Sequence, residues 1–173
     1  DKKKITHNEL ENLVSDIKQG NINGINVTVP FKNAIIPYLD ELSDEAKKTQ
    51  AVNTVLLKDK KIIGHNTDIK GFENAIKKIK YDFKNKKIFI LGAGGVVPSI
   101  IYASMKMASS EIILCNRTEK KAEQVKNIFN NIKVIKWGEI PEFDVIINAT
   151  SVGLKQDDKI NLNFTKIGNN KLF

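Results

Sequence analysis

The chain has 173 residues, 41% of them hydrophobic and 28% charged, with a formal net charge of +8. That length supports one ordinary domain or two small ones, and the composition is that of a soluble globular protein, neither disordered nor membrane-embedded. No apolar run approaches the roughly 20 residues that span a bilayer, and the basic start DKKK leads into no apolar signal segment.

The charge comes almost entirely from lysines scattered along the chain and not interleaved with aromatic residues, which argues against a nucleic-acid surface. Cys115 stands alone in EIILCN. A single buried thiol forms no internal disulfide, suits a reducing cytoplasm, and reads as a small core hydrophobe. No metal site is expected. The sequence begins at Asp1 and not at Met, so we read it as a piece of a longer chain.

Taken in chain order, ELENLVSDIK places Leu10, Leu13, Val14 and Ile17 on one face of an amphipathic helix. GINVTV reads as a short strand that Pro30 stops, because proline has no N–H for the ladder. Lys32 therefore projects just beyond a strand's carboxyl end, where ligands of open α/β sheets bind. A brief helix broken near Pro37 follows, then a second begun by Ser43 as N-cap. AVNTVLL and KIIGHN read as strands joined by a polar hairpin at Lys58–Lys61. NTDIKGFENAIKKIK sets Ile69, Phe72, Ile76 and Ile79 on one helical face.

The charged stretch DFKNKK makes a boundary, giving residues 1–82 and 83–173 as two domains. Beyond it the texture is strand–helix alternation: KIFIL, a helix near Val97–Met107, EIILC, KKAEQVKNIF, KVIKW and FDVIIN. Such alternation implies a parallel, doubly wound sheet, here with its carboxyl-terminal strands missing. The fold class is α/β.

Gly92-Ala93-Gly94-Gly95-Val96 follows the KIFIL strand and opens a helix. Gly92 suits a tight turn, and Gly94 and Gly95 let backbone approach a pyrophosphate at the helix N-terminus. Pro98 fits only a first helical turn. Val97 stands where the motif usually has Gly or Ala, so crowding between helix and strand is expected. The second strand ends not in an acid but in Asn116-Arg117-Thr118, 22 residues beyond Gly94, with Lys121 one turn later. An arginine fork and a lysine suit a 2′-phosphate, favouring NADP over NAD. The plainer reading is a helix N-cap at Thr118 beside a solvated arginine.

Three strand ends in the first half carry polar groups: Thr28 with Lys32, Asn53-Thr54, and Asn66-Thr67-Asp68. Each has a plain reading as a surface lysine, a hairpin partner or an N-cap. Together, beside a dinucleotide fold, they suggest carbonyl reduction. A lysine held by a carboxylate protonates the oxygen, and Asn and Thr side chains meet substrate hydroxyls.

GINVTVPFK, QAVNT, GHNTDIKGF, LGAGGVV, NRTEKKA and NATSVGL occur in one order along the chain, and in that order and spacing the sequence resembles the shikimate dehydrogenases. The resemblance implies an N-terminal α/β substrate domain followed by a Rossmann-like NADP-binding domain, both incomplete. It implies NADPH-dependent reversible reduction of 3-dehydroshikimate to shikimate in a cytoplasmic enzyme, compatible with a homodimer. Lys32 is implied as acid/base and Asp68 as its partner, with Thr28 and Asn53 on substrate hydroxyls. Gly92, Ala93, Gly94, Gly95 and Val96 would hold the pyrophosphate, and Asn116, Arg117, Thr118 and Lys121 the adenosine phosphate. Thr150 and Ser151 would lie near the nicotinamide, and Asp44 near the cofactor. His65 has no role in that pattern.

The family's opening serine motif and its closing strands are not among these residues, so little turnover is expected of the chain alone. Quinate is the near rival substrate, and a dehydroquinase fused upstream stays open. A glutamyl-tRNA reductase would share the NRT strand but leaves NVTVPFK unexplained. A non-catalytic NADP-binding module would need neither Lys32 nor Asp68.

Overall fold

The computed structural model describes residues 4–153, 158–164, 168 and 171–172. Two four-stranded sheets divide the strands between them.

The first half opens with a 3-10 turn, His7–Glu9, and helix α1, Leu10–Lys18, whose Leu10, Val14 and Ile17 are buried. Strand β1 is Gly24–Asn26, shorter than the GINVTV run predicted. The ladder stops early because Asn53, which accepts the Val27 N–H at 2.8 Å, gives its own N–H to the His65 carbonyl at 3.0 Å and not back to Val27, and the Thr28 carbonyl already accepts from Phe31 N at 2.8 Å, starting the next turn. Helix α2, Phe31–Ala34, carries Lys32, and a 3-10 turn at Ile36–Tyr38 takes up Pro37. Strand β2 is Glu41–Leu42. Helix α3, Asp44–Thr49, is capped as predicted, with Ser43 Oγ accepting from Ala46 N at 3.2 Å.

Strands β3, Thr54–Lys58, and β4, Lys61–His65, form the hairpin, with Asp59 and Lys60 both at positive φ in the tight turn. The sheet order is β1-β3-β4-β2, antiparallel except for the β4–β2 pair. Its core gathers Leu10, Val14 and Ile17 with Val27, Ile35, Ala46, Val52, Val55 and Ile62.

Helix α4, Asp68–Lys78, joins the halves. Ile69 is buried and Phe72 and Ile76 pack on the second core, but Ile79 is 56% exposed. The helix ends at Ile79, and Lys80 turns the chain away at a φ of 54°, so the fourth position of the predicted stripe never reaches the core.

The second half runs β5 (Lys87–Leu91), α5 (Val97–Lys106), β6 (Glu111–Cys115), α6 (Glu119–Ile128), β7 (Lys133–Ile135) and β8 (Val145–Asn148). The sheet order is β7-β6-β5-β8, parallel throughout. Leu172 continues it, its N–H donating to Asp144 O at 3.0 Å and its carbonyl accepting from Ile146 N at 2.9 Å.

The period-two alternation divides β5 between two cores. Ile88 and Ile90 face Phe83, Val97, Ile100, Ile101, Ala122 and Val125 beneath the helices. Phe89 and Leu91 face Ile113, Cys115, Phe143 and Ile146 on the other side, closed by Trp137, Ile140, Ile160, Leu162 and Phe164. Among the described residues the helices lie on one face, and irregular segments cover the other. Val97 is fully buried in the helical-side core.

Candidate active site

Register brings together the residues expected to meet the nucleotide. Leu91 pairs with Cys115 on one side and Asn148 on the other. The residues that follow each strand, Gly92, Asn116 and Ala149, therefore emerge side by side at the carboxyl edge of the parallel sheet. Gly92 N–H donates to Cys115 O and Ala149 N–H to Leu91 O, each at 2.8 Å. Gly92 has a φ of 108°, and a Cβ there would meet the Ala149 carbonyl oxygen at 2.7 Å. Gly94 differs: its nearest neighbour would be the same oxygen at 3.9 Å, in ordinary contact. The cradle is thus walled at Gly92 and open at Gly94, as a backbone that receives a pyrophosphate requires. Val96 is the N-cap of α5 and Pro98 sits in its first turn.

Asn116 Nδ2 donates to Thr118 O at 2.8 Å and pins the turn. Thr118 is the N-cap of α6, though its side chain makes no cap bond. Arg117, Thr118 and Lys121 are exposed at the start of that helix. Beyond β8, Asn148 Oδ1 accepts from Thr150 N at 3.0 Å and Thr150 Oγ1 at 2.7 Å. Its Nδ2 donates to Val152 O at 3.0 Å. Asn148 thereby holds Thr150 and the exposed Ser151 at the same edge. Leu154, the end of the NATSVGL motif, lies outside the described residues.

In the first sheet Thr54 pairs with both Asn26 and His65, so Val27, Asn53 and Asn66 lie together at one end of three strands. From there Lys32 Nζ reaches Asp68 Oδ2 at 2.6 Å, the two side chains 11% and 26% exposed. Asp68's other oxygen, Oδ1, accepts from Asn53 Nδ2 at 2.8 Å. Asn53 is fixed in turn: its Oδ1 accepts from Thr67 N at 3.0 Å and Thr54 Oγ1 at 3.1 Å. With each carboxylate oxygen on a different partner, Asp68 cannot swing, and it aims the lysine. Thr28 is exposed, four residues before Lys32 and two past the end of β1.

The two halves meet at this point. A Cβ added to Gly95 would stand 3.6 Å from Lys32 Cδ, so the lysine's stem lies against the glycine turn. Asp44 is exposed in the first turn of α3, a helix that packs on α5. His65 ends β4 half-buried. Cys115 lies fully buried beneath the site, and burial pushes its thiol up, away from nucleophilic use.

Three further contributors are not among the site residues the sequence implies. Asn148 is one, and its Asn-x-Thr spacing is the signal of a side chain folding back on its own backbone. Asn66, which the sequence offers only as a polar strand-end or N-cap residue, and Ser99 are the others; no local pattern marks their pairing, because they meet across the two halves at 2.9 Å.

A glycine turn at the carboxyl edge of a parallel sheet, facing a lysine–carboxylate pair held on helices beside a second sheet, defines an α/β protein of the nicotinamide-nucleotide-binding type. The family model described as shikimate dehydrogenase substrate binding domain matches residues 1–55, and the shikimate / quinate 5-dehydrogenase model matches residues 73–158. A shikimate dehydrogenase (NADP(+)) of Pelagibacter ubique is 53% identical over all 173 residues, although the chain spans only 65% of that relative's length. The crystal structure of shikimate dehydrogenase from Aquifex aeolicus superposes with a TM-score of 0.82 at 42% identity, covering 90% of this chain and 59% of that one. That of the Thermus thermophilus enzyme, in complex with NADP(H) and shikimate, gives 0.76 at 31% identity over 87% and 56%. The chain belongs to the shikimate dehydrogenase family.

Proposed function

We propose that this chain carries the catalytic pair and the cofactor cradle of an NADP-dependent shikimate dehydrogenase, acting reversibly between 3-dehydroshikimate and shikimate. The observation that carries this reading is the Lys32–Asp68 pair, closed at 2.6 Å and lying against Gly95 of the glycine turn. Residues 1–82 form the substrate half and 83–173 the cofactor half; Phe83 at the boundary is already buried in the second core.

The nicotinamide of NADP, when bound, supplies the hydride in the reducing direction and takes it in the other. Lys32 gives the proton to the carbonyl oxygen as charge develops there, and recovers it from the hydroxyl in oxidation. Asp68 orients that ammonium and balances its charge. Asn53 fixes Asp68 and, with Thr28, meets the ring hydroxyls. Gly92 to Val96 receive the pyrophosphate; Asn116, Arg117, Thr118 and Lys121 hold the adenosine 2′-phosphate; Thr150 and Ser151 flank the nicotinamide, with Asp44 at the cofactor's edge. A single buried cysteine fits a cytoplasmic location. A homodimer is the alternative to a monomer, read from sedimentation of the same sample.

The test is NADPH absorbance against time in the full reading frame, with shikimate and NADP⁺, and with quinate and NAD⁺ in parallel. Lys32→Ala should lower kcat by roughly 10²–10⁴-fold, the usual worth of a positioned acid, with a much smaller change in shikimate binding. A K32A enzyme with wild-type kcat would remove Lys32 from the chemistry.

A further inference from the structure

Asn66 is 7% exposed and directly follows β4, two residues before Asp68. Its Nδ2 lies 3.0 Å from Thr49 Oγ1, 3.0 Å from Ala51 O and 2.9 Å from Ser99 Oγ. Its Oδ1 accepts the Asp68 N–H at 3.1 Å and faces the Ser99 hydroxyl at 3.3 Å. The surroundings fix which end is which: the Ala51 carbonyl can only accept and the Asp68 amide can only donate. Thr49 spends its own proton on Glu45 O at 2.7 Å, leaving its oxygen to accept from Asn66.

One buried carboxamide therefore grips the backbone of Asp68 on one side and helix α5 on the other. Ser99 is the third residue of α5, the helix that starts where the glycine turn ends, and it is fully buried. Any shift of Ser99 moves the turn, and the turn lies against the stem of Lys32.

We propose that Asn66 and Ser99 are a positioning pair that sets the Lys32–Asp68 group in register with the cofactor cradle, and so fixes the geometry of hydride transfer without touching substrate. This rests on the reading of Lys32 and Asp68 as the proton-handling pair. Hydride and proton must move between groups within contact distance, and misplacing reacting groups by about 1 Å costs on the order of 10²-fold in rate. A hydrogen bond joining the two halves is therefore a catalytic matter even where binding is unaffected.

The experiment compares Ser99→Ala and Thr49→Val with wild type. S99A removes the Asn66–Ser99 hydrogen bond between the two halves; T49V removes a partner of the same carboxamide within the substrate half only. The expected result for S99A is a kcat lower by about tenfold, with KM for shikimate and Kd for NADP⁺ within about twofold, and a larger primary deuterium isotope effect on kcat. T49V should keep wild-type kcat at a lower melting temperature. S99C, close in volume but a weak donor, falls between and decides the matter if S99A does not fold.

A second readout needs no turnover: spin labels at Lys58→Cys and Gln124→Cys, both exposed, report the distance between the halves in ligand-free protein while fully buried Cys115 stays unlabelled. S99A should broaden that distribution. A wild-type kcat in S99A, or an equal loss in T49V, overturns the proposal. If wild type itself does not oxidise shikimate, the functional reading fails, and an unbroadened distribution in S99A then overturns the clamp separately.

Discussion

Replacing Gly92 and Gly94 by alanine, one at a time, separates a glycine that shapes the cradle from one that leaves room for a ligand. At Gly92 the φ of 108° is closed to L side chains, and the new Cβ would stand 2.7 Å from Ala149 O, 2.8 Å from Ala149 C and 3.0 Å from Thr150 N. All three are backbone atoms of the segment leaving β8, so no rotamer change relieves the contact. The strained backbone costs about 1–3 kcal/mol and the overpacking another ~1–3, offset by about 0.4–1 from the stiffer unfolded chain. The net is roughly 3 kcal/mol, or a fall in Tm of about 6–12 °C for a chain of this size.

At Gly94 the φ is not in the left-handed region and the nearest atom is 3.9 Å away. G94A should therefore melt within about 2–4 °C of wild type, corresponding to ~1 kcal/mol or less. On the proposed reading its methyl would take space the pyrophosphate needs, so NADP⁺ affinity should fall at least tenfold. Calorimetry and titration of NADP⁺ by its effect on protein fluorescence give both numbers. A G92A protein as stable as wild type, or a G94A protein that binds NADP⁺ normally, would refute the division.

Two further outcomes follow from charges. Glu73, buried on α4, is flanked by Lys106 at 2.7 Å from Oε1, an ion pair lacking hydrogen-bond direction, and by Lys70 at 3.5 Å from Oε2. Lys106 above all, with Lys70, holds its carboxyl below the ordinary 4.5 despite burial. A folded value below the unfolded one stabilises the protein above the ordinary range, and the contribution disappears as pH falls through the folded value. The melting temperatures of wild type and Glu73→Gln should thus differ at pH 7 and converge only as pH falls through the lowered folded value; a gap that persists once Glu73 is protonated in the folded protein would mean packing, not charge. Arg117→Ser should weaken NADP⁺ by about 10–100-fold, the worth of a charge-assisted fork, while NAD⁺ kinetics stay within about twofold; an equal loss for both cofactors would detach Arg117 from the 2′-phosphate.

Much of this protein is local in origin. The stripe of Leu10, Val14 and Ile17, the Ser43 cap, the hairpin around Asp59 and Lys60, and the apolar strands each side of Gly92 are set by residues a few positions apart. Propensity, period and turn chemistry act at that range, so sequence alone determined those elements, the α/β class and the glycine turn of the cradle. Ile79 obeyed the helical period and still ended exposed, because the helix stopped one residue short of using it.

What tertiary structure decided is everything that depends on docking. Lys32 and Asp68 are 36 residues apart and meet because β1 and β4 end at the same edge of their sheet. Asn66 and Ser99, 33 apart, meet because α5 packs against the substrate half. A carboxamide carries no mark of its partner; only burial, which makes an unpaired polar group costly, selects the bond that forms.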